Sequence, residues 1–345
     1  MMRRQRAARL RSLAGLLACL PLAACHNPRA LDEATRQTLA LAEATWPGQF
    51  QLYKAGRRGD LQGYEIILAA RDDANFRVKL SHRDLSICEP QRCRQILQHA
   101  YDSGHYNATI FNTSVAALRG CGLPMLGMVS GGSGPAPLVE LDIQSDTRAA
   151  LARVGACAQA YWKAWGQTSA GRDWGRPHWE LYLRQSGANP AAMPERLDWE
   201  TRAPSRPDAP LYSIWLRPDT PLPPDPSRLR VIPYTDYYKQ LQAAILAHTQ
   251  RYLETHLRGA ALNAISPVVW RMAPDPADIG RLHAQVLLCS PQAVAQRRSN
   301  CQEDMALALQ YDSHSGQASD ERLLRNIRNA DGSVSLPPLR PGVDD

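Results

Sequence analysis

Apolar residues recur along this chain in two rhythms, and the rhythms come in blocks. Residues 31–46 place Leu39, Ala42 and Trp46 along one stripe with Asp32, Glu33 and Glu43 outside it, the period of an amphipathic helix. Residues 51–54 and 64–70 are strand-like, on either side of the polar turn Arg57-Arg58-Gly59-Asp60. Residues 76–83 alternate cleanly, with Phe76, Val78 and Leu80 on one face and Arg77, Lys79 and Ser81 on the other. A helix returns at 89–101, where Cys93, Ile96, Leu97, Ala100 and Tyr101 share a face. The β-branched run at 107–115 predicts another strand, and the Gly- and Pro-rich stretch 120–137 a long loop.

Alternation resumes at 139–144, with Val139, Leu141 and Ile143 predicted inward and Glu140, Asp142 and Gln144 outward. Asp146 or Ser145 can cap the helix that follows, whose stripe is Leu151, Val154, Ala158, Trp162 and Trp165. Strands are predicted at 179–184, 211–217 and 229–232, the last two separated by the proline-heavy 218–226. The longest predicted helix is 236–257, with Tyr238, Leu241, Ile245, Tyr252 and Leu253 inward. Strands at 268–272, 282–289 and 305–311 follow it, and 331–345 has no periodicity and is expected to be loose.

Helix then two or three strands occurs at 31–83, 147–232 and 236–311. That order differs from the strand–helix alternation of a parallel sheet and predicts α+β units, each an antiparallel sheet covered by helices. Residue identity among the three blocks is too weak to establish a repeat. The expected organisation is a leader (1–24), an N-terminal unit (25–145), a Trp/Pro-rich middle unit (146–232), a C-terminal unit (233–325) and a tail (326–345).

The N-terminus changes the picture most. Arg3, Arg4, Arg6, Arg9 and Arg11 precede a short apolar run ending in Leu22-Ala23-Ala24-Cys25, with no acid among them. These are the parts of a secretory signal, and the apolar core, roughly ten residues long, is half of what a bilayer span needs. The closing tetrapeptide resembles the lipobox of bacterial lipoproteins. The resemblance implies that Cys25 becomes the first mature residue, acylated on its sulfur and its amine. His26 stands where the inner-membrane retention pattern of enterobacteria has Asp, which by the same resemblance implies the periplasmic face of the outer membrane.

Charge then loses its apparent message. The leader's five arginines account for most of the formal +7, so the high pI gives no reason to expect a nucleic-acid partner. Of eight cysteines, Cys19 leaves with the leader and Cys25 takes the lipid. Cys88, Cys93, Cys121, Cys157, Cys289 and Cys301 remain, an even number that in an oxidising compartment implies disulfides. Six cysteines allow fifteen pairings and the sequence does not choose among them. Short loops favour Cys88–Cys93, Cys121–Cys157 and Cys289–Cys301. No Cys-x-x-Cys pair exists and no metal site or cofactor is expected.

Candidate chemistry is sparse. The stretch Gly127-Met128-Val129-Ser130-Gly131-Gly132-Ser133-Gly134 lacks both the lysine of a phosphate loop and the spacing of a nucleophile elbow. Glu140 and Asp142 on one strand face would be about 7 Å apart, a spacing open to an acid/base pair, though solvent-side acids on a strand are ordinary. His248 and His256 are two helical turns apart, too far to share a metal. No catalytic residue is assigned.

Surface chemistry is richer. Six of the eight tryptophans (Trp162, Trp165, Trp174, Trp179, Trp199 and Trp215) fall within 161–215. Arg172, Trp174 and Arg176, in Arg172-Asp173-Trp174-Gly175-Arg176-Pro177, form the best candidate for a partner-binding loop, because Trp and Arg dominate binding hot spots. The expected function is non-enzymatic: a lipid-anchored periplasmic protein that binds another protein. Its layout is similar to that of immunity lipoproteins paired with secreted antibacterial effectors, lipases in particular. That similarity covers general architecture, no residue motif is matched, and no binding residue is carried over. Two other expectations stay open: an envelope hydrolase whose triad is assembled from distant segments, and a structural subunit of an envelope secretion or assembly complex.

Overall fold

A computed structural model describes residues 28–57, 63–131, 134–173, 175, 177–187, 194, 197–198, 201, 206, 209–233, 235–296 and 301–339. It is an α+β protein with 39% helix and 29% strand, three sheets and seven α-helices among the described residues. The chain divides into two units: Met1–Leu68 with Lys79–Leu97, and Ala69–Val78 with Gln98–Asp345.

In the first unit, helix α1 (Pro28–Thr45) buries Ala34, Thr38 and Ala42 at four-residue spacing and leads to Trp46, whose ring packs 5.2 Å from Phe50. Phe50 opens β1 (Phe50–Arg57), the first strand of a three-stranded sheet of order β1-β2-β3, with β2 at Tyr64–Ala70 and β3 at Arg77–Ser81. The turn predicted at 57–60 falls largely outside the described residues. A short helix α2 (His82–Ile87) precedes α3 (Pro90–Gly120), and the Cys88–Cys93 disulfide bridges the two. Cys93 is half-buried rather than fully inward.

Helix α3 corrects the sequence-based expectation. The strand predicted at 107–115 is helical, and at 31 residues α3, not the 236–257 helix, is the longest. Thr109, Ile110, Thr113 and Val115 have strand propensity, but Gly104, Ala108, Phe111, Ser114 and Leu118 recur at three- and four-residue spacing and are buried. Tertiary burial of that stripe overrides propensity. The helix ends where Gly122 takes φ +72° and the Leu123 amide donates back to the Leu118 carbonyl, closing the last turn.

The second unit is built on two sheets. The expected 120–137 loop is instead a β-hairpin, β4 (Met125–Gly131) antiparallel to β5 (Gly134–Leu141). Helix α4 (Thr147–Trp165), capped by the Asp146 carboxylate accepting from the Ala149 amide, returns the chain so that β6 (Trp179–Gln185) pairs in parallel with β5. One strand–helix–strand crossover therefore interrupts the expected antiparallel order. A short helix α5 (Ser169–Asp173) lies in that crossover, and β7 (Leu211–Leu216) and β8 (Arg230–Val231) complete a mixed sheet of order β4-β5-β6-β7-β8. This sheet draws strands from both sides of the boundary expected at 145/146.

Helix α6 (Asp236–His256), with Thr235 as its N-cap, leads into the antiparallel sheet β12-β11-β10-β9. Its strands are β9 (Val269–Pro274), β10 (Arg281–Leu288), β11 (Met305–Asp312) and β12 (Ala318–Arg325), and α7 (Pro291–Gln296) follows β10. Tyr237, Leu241, Ile245, Thr249 and Leu253 are the buried stripe of α6, so the inward tyrosine is Tyr237 while Tyr238 and Tyr252 are half-buried.

Within the second unit, one face of each of its two sheets enters a single apolar core. Val139, Leu141, Leu181, Leu183, Ile214 and Leu216 come from the middle sheet, and Leu282, Val286, Leu288, Leu307 and Leu309 from the C-terminal one. Leu151, Val154, Trp165, Leu241 and Ile245 cover them from α4 and α6. Each such side chain contributes about 1.5–3 kcal/mol on burial. Cys121–Cys157 ties the end of α3 to α4 and Cys289–Cys301 closes the β10–β11 connection, so all three locally favoured disulfides are present. The segment after β12 is not loose up to residue 339: Ile327 is buried, Val334 bridges Arg328, and the Ser335 amide donates to the Ile327 carbonyl.

Candidate functional site

Three of the six clustered tryptophans are core. Trp165 and Trp179 are fully buried, Trp162 nearly so, and Tyr161 stacks on Trp179 with ring centroids 4.7 Å apart. Their indole N–H groups are all engaged: Trp179 donates to Ser114 Oγ at 3.0 Å, Trp165 to the Gly175 carbonyl at 2.6 Å and Trp162 to the Pro177 carbonyl at 3.3 Å. The last two pin the backbone of the 172–177 loop onto α4. Gly171 lets the loop approach so closely, because a Cβ there would meet the Trp165 carbonyl oxygen at 2.0 Å. Arg172 stands exposed on this platform, while Trp174 and Arg176 lie outside the described residues, as do Trp199 and Cys25. Trp215 is half-exposed, on the β7 face turned away from the core.

That outer face of the middle sheet holds an ion cluster that strand alternation misplaced. Glu140, expected toward solvent, is buried opposite Arg184 on the parallel neighbour, with Arg184 Nη2 3.3 Å and Arg206 Nη1 2.8 Å from its two oxygens. The alternation itself is correct; the outer face is covered locally, at Glu140. Arg206 comes from the 186–210 connection, which also accepts the Met128 amide at the Thr201 carbonyl, and Ala136, Leu138, Tyr182 and Ile232 form a second small core there. Tyr182 reflects this cover: burial first, and then the Glu180 charge, push its phenol up to about 12. Asp142 does face solvent, and hydrogen bonds from Gln185 and Ser145 hold its carboxyl below the ordinary value. The two acids share no acid/base geometry.

The remaining sequence candidates are structural. Gly127, Met128 and Val129 are β4 residues paired with β5, and Ser133 lies outside the described residues. His248 Nε2 meets Glu321 at 3.1 Å, and His256 stacks on Tyr252. Among the described residues no group of three or more His, Cys, Asp or Glu side chains is placed to hold a metal ion, and no helix is long and apolar enough to cross a membrane.

The most chemically equipped concavity is on the outer face of the C-terminal sheet. Register places Gln285, Ala308 and Arg322 side by side on β10, β11 and β12, with His283 and Gln310 as the next row. The small Ala308 between two long side chains leaves a hollow of about 290 Å³, bordered by Gln285, Arg322, His283, Gln310, Asp320 and Pro338. Asp320 is the extra residue of a β-bulge: Ala308 pairs with Arg322 and Gln310 with Ser319, and Asp320 takes φ +54°. His283 Nε2 is fixed by Asp275 Oδ2 at 2.8 Å. Burial pulls the Asp275 carboxyl up, but the Ala277 amide and His283 outweigh it and hold the carboxyl below its ordinary 3.8. Gln285 is 2% exposed; its Nε2 donates to the Pro337 carbonyl at 3.0 Å and its Oε1 has no donor among the described residues. Sequence gave little sign of this site, since one His, one Gln and one Arg on three separate strands form no local motif.

Set against protein-family models, curated proteins and solved structures, the chain matches none of them.

Proposed function

We propose that the chain is a lipoprotein of the outer membrane, held at the periplasmic face by acyl groups on Cys25, that binds a protein partner without catalysing a reaction. Within that class we read it as an immunity protein that neutralises a secreted lipase effector of the type VI kind. The observation that carries this reading is the cysteine count. Six cysteines are paired in three local disulfides, as an oxidising compartment favours, and Cys25 is then the one cysteine outside the leader left for acylation, directly behind the Leu22-Ala23-Ala24 pattern. Support for a binding role comes from Arg172, exposed in the last turn of α5, just before a backbone pinned to buried tryptophans at Gly175 and Pro177, so that little ordering entropy opposes association.

The test combines address and partner. A Cys25→Ser chain should lose palmitate labelling and leave the membrane fraction. The intact chain, co-expressed with a Gly-x-Ser-x-Gly lipase effector from a neighbouring gene of its own genome, should co-purify with that effector and abolish its activity; a gene with no such neighbour weakens the immunity reading. Retained fractionation of the Cys25→Ser form removes the anchor, and an uninhibited effector removes the immunity role.

The His283–Asp275 pair favours a second reading, an envelope hydrolase, because a carboxylate-fixed imidazole is two thirds of a nucleophilic triad. Among the described residues no Ser, Thr or Cys side chain hydrogen-bonds the His283 ring. Purified chain that hydrolyses lipid or cell-wall substrates, and stops on His283→Ala, would establish this reading in place of the first.

A further inference from the structure

The hollow on the C-terminal sheet has charges of both signs that do not cancel one another. Asp320 and Arg322 are two residues apart on β12 and border the same space, yet neither side chain makes an ion pair or a hydrogen bond among the described residues. Beside them Gln285 offers a buried carbonyl oxygen that lacks a donor. Its amide orientation is set by the chain: turned over, it would put oxygen against the Pro337 carbonyl. A simple anion brought to Arg322 would meet the Asp320 carboxylate and the Gln285 oxygen, both repulsive. A simple cation would meet Arg322. A ligand satisfies all three groups only if it carries an anionic end and a donor-bearing cationic end a few ångströms apart. Alternate residues on a strand are roughly 7 Å apart, a span that the two ends of a short peptide can bridge.

We propose that this hollow binds a small zwitterion of the amino-acid or short-peptide class. The ligand carboxylate lies against Arg322, a charge-assisted contact, and the ammonium lies against Asp320, with the buried Gln285 carbonyl dipole nearby favouring a positive charge there. Ala308 forms the floor and the Pro338 ring a wall, leaving room for a small side chain. The bulge gives Asp320 a left-handed backbone (φ +54°) two residues from Arg322, at the border of the same hollow. The site is independent of the 172–177 loop and of the anchor.

Calorimetric titration of the purified full chain with three probes tests the proposal: alanyl-alanine, its N-acetyl form and its C-terminal amide. Free dipeptide should bind, and each blocked form should bind at least about ten-fold more weakly, the loss expected for one hydrogen bond to a charged group. Asp320→Asn, which the left-handed backbone tolerates, should weaken the free dipeptide and erase discrimination against the acetyl form alone. Arg322→Gln should erase discrimination against the amide alone. Both residues are exposed, so melting temperatures should be unchanged. No heat at millimolar dipeptide overturns the proposal. So does equal binding of free and blocked forms.

Discussion

Replacing Glu140 by Gln tests how the middle sheet holds its cover. The Glu140 side chain has no solvent exposure, Arg184 beside it is 4% exposed and Arg206 is 35% exposed. Gln keeps the size and removes the charge, so Arg184 stays buried facing a neutral amide. Breaking a buried pair from one side costs about 3–5 kcal/mol, because the remaining ion has lost its compensation without regaining water. Most of that cost belongs to Arg184, since Arg206 can turn to solvent; Arg206→Ala should cost about 1 kcal/mol. For a domain of this size 3–5 kcal/mol corresponds to a fall in melting temperature of roughly 6–20 °C. Urea unfolding followed by tryptophan fluorescence reads the stability difference directly. The double variant Glu140→Leu with Arg184→Met removes both charges and keeps volume, and it should recover most of the loss. If Glu140→Gln costs less than about 1 kcal/mol, or the double variant is as unstable as the single one, uncompensated charge is not what the pair prevents.

Other consequences are more local. Reducing Cys121–Cys157, or replacing both by Ala, reopens a loop with a sequence separation of 36 and should cost about 4 kcal/mol by denaturant unfolding, against about 2 kcal/mol for the five-residue separation of Cys88–Cys93. Asp275 has a folded pKa below its unfolded value, so its contribution to stability is present above the unfolded pKa and lost as pH falls through the folded one. Acid unfolding should therefore include an Asp275 component below pH ~4, and His283→Ala should raise the Asp275 pKa in a carboxyl NMR titration. Tyr182, pushed up to about 12, stabilises the fold below pH ~10 and loses that contribution as pH rises toward 12. Tyr106, Tyr161, Tyr212, Tyr237 and Tyr311 shift the same way, burial being the first cause in each. Phenolate absorbance should then rise abruptly with alkaline unfolding, whereas a smooth ionisation centred near 10 would show that these rings are wet.

Much of the fold was legible wherever local pattern and tertiary burial agree. The α4 stripe Leu151, Val154, Ala158, Trp162 and Trp165 and its Asp146 cap are as the sequence predicts, and so are β2, β6, β7, β10 and β11. The three disulfides are the ones that short loops favour among the fifteen pairings the sequence leaves open. Where a second element covers a surface, the pattern misled. Glu140 alternates correctly, but Arg206, from the connection after β6, reaches the face it points to and Arg184 lies beside it. The 107–115 run has strand residues held in a helix by buried Ala108, Phe111 and Ser114. Glycines and prolines in 125–137 suggested a loop because single residues do not reveal that β5 would pair on both edges. Strand β12, mostly exposed and charged, has the composition of a loop and the protection of an edge strand. The hollow at Ala308 was illegible for a different reason: it exists only through the register of three strands and one bulge, none of which is a local property.

The most direct measurement is the mass of the N-terminal peptide of the chain recovered from the cell envelope. The expected peptide begins at Cys25 and carries the added mass of a diacylglyceryl group on sulfur and a third acyl chain on the amine. A chain that still begins at Met1, or one cleaved elsewhere with an unmodified N-terminus, would contradict the lipid anchor.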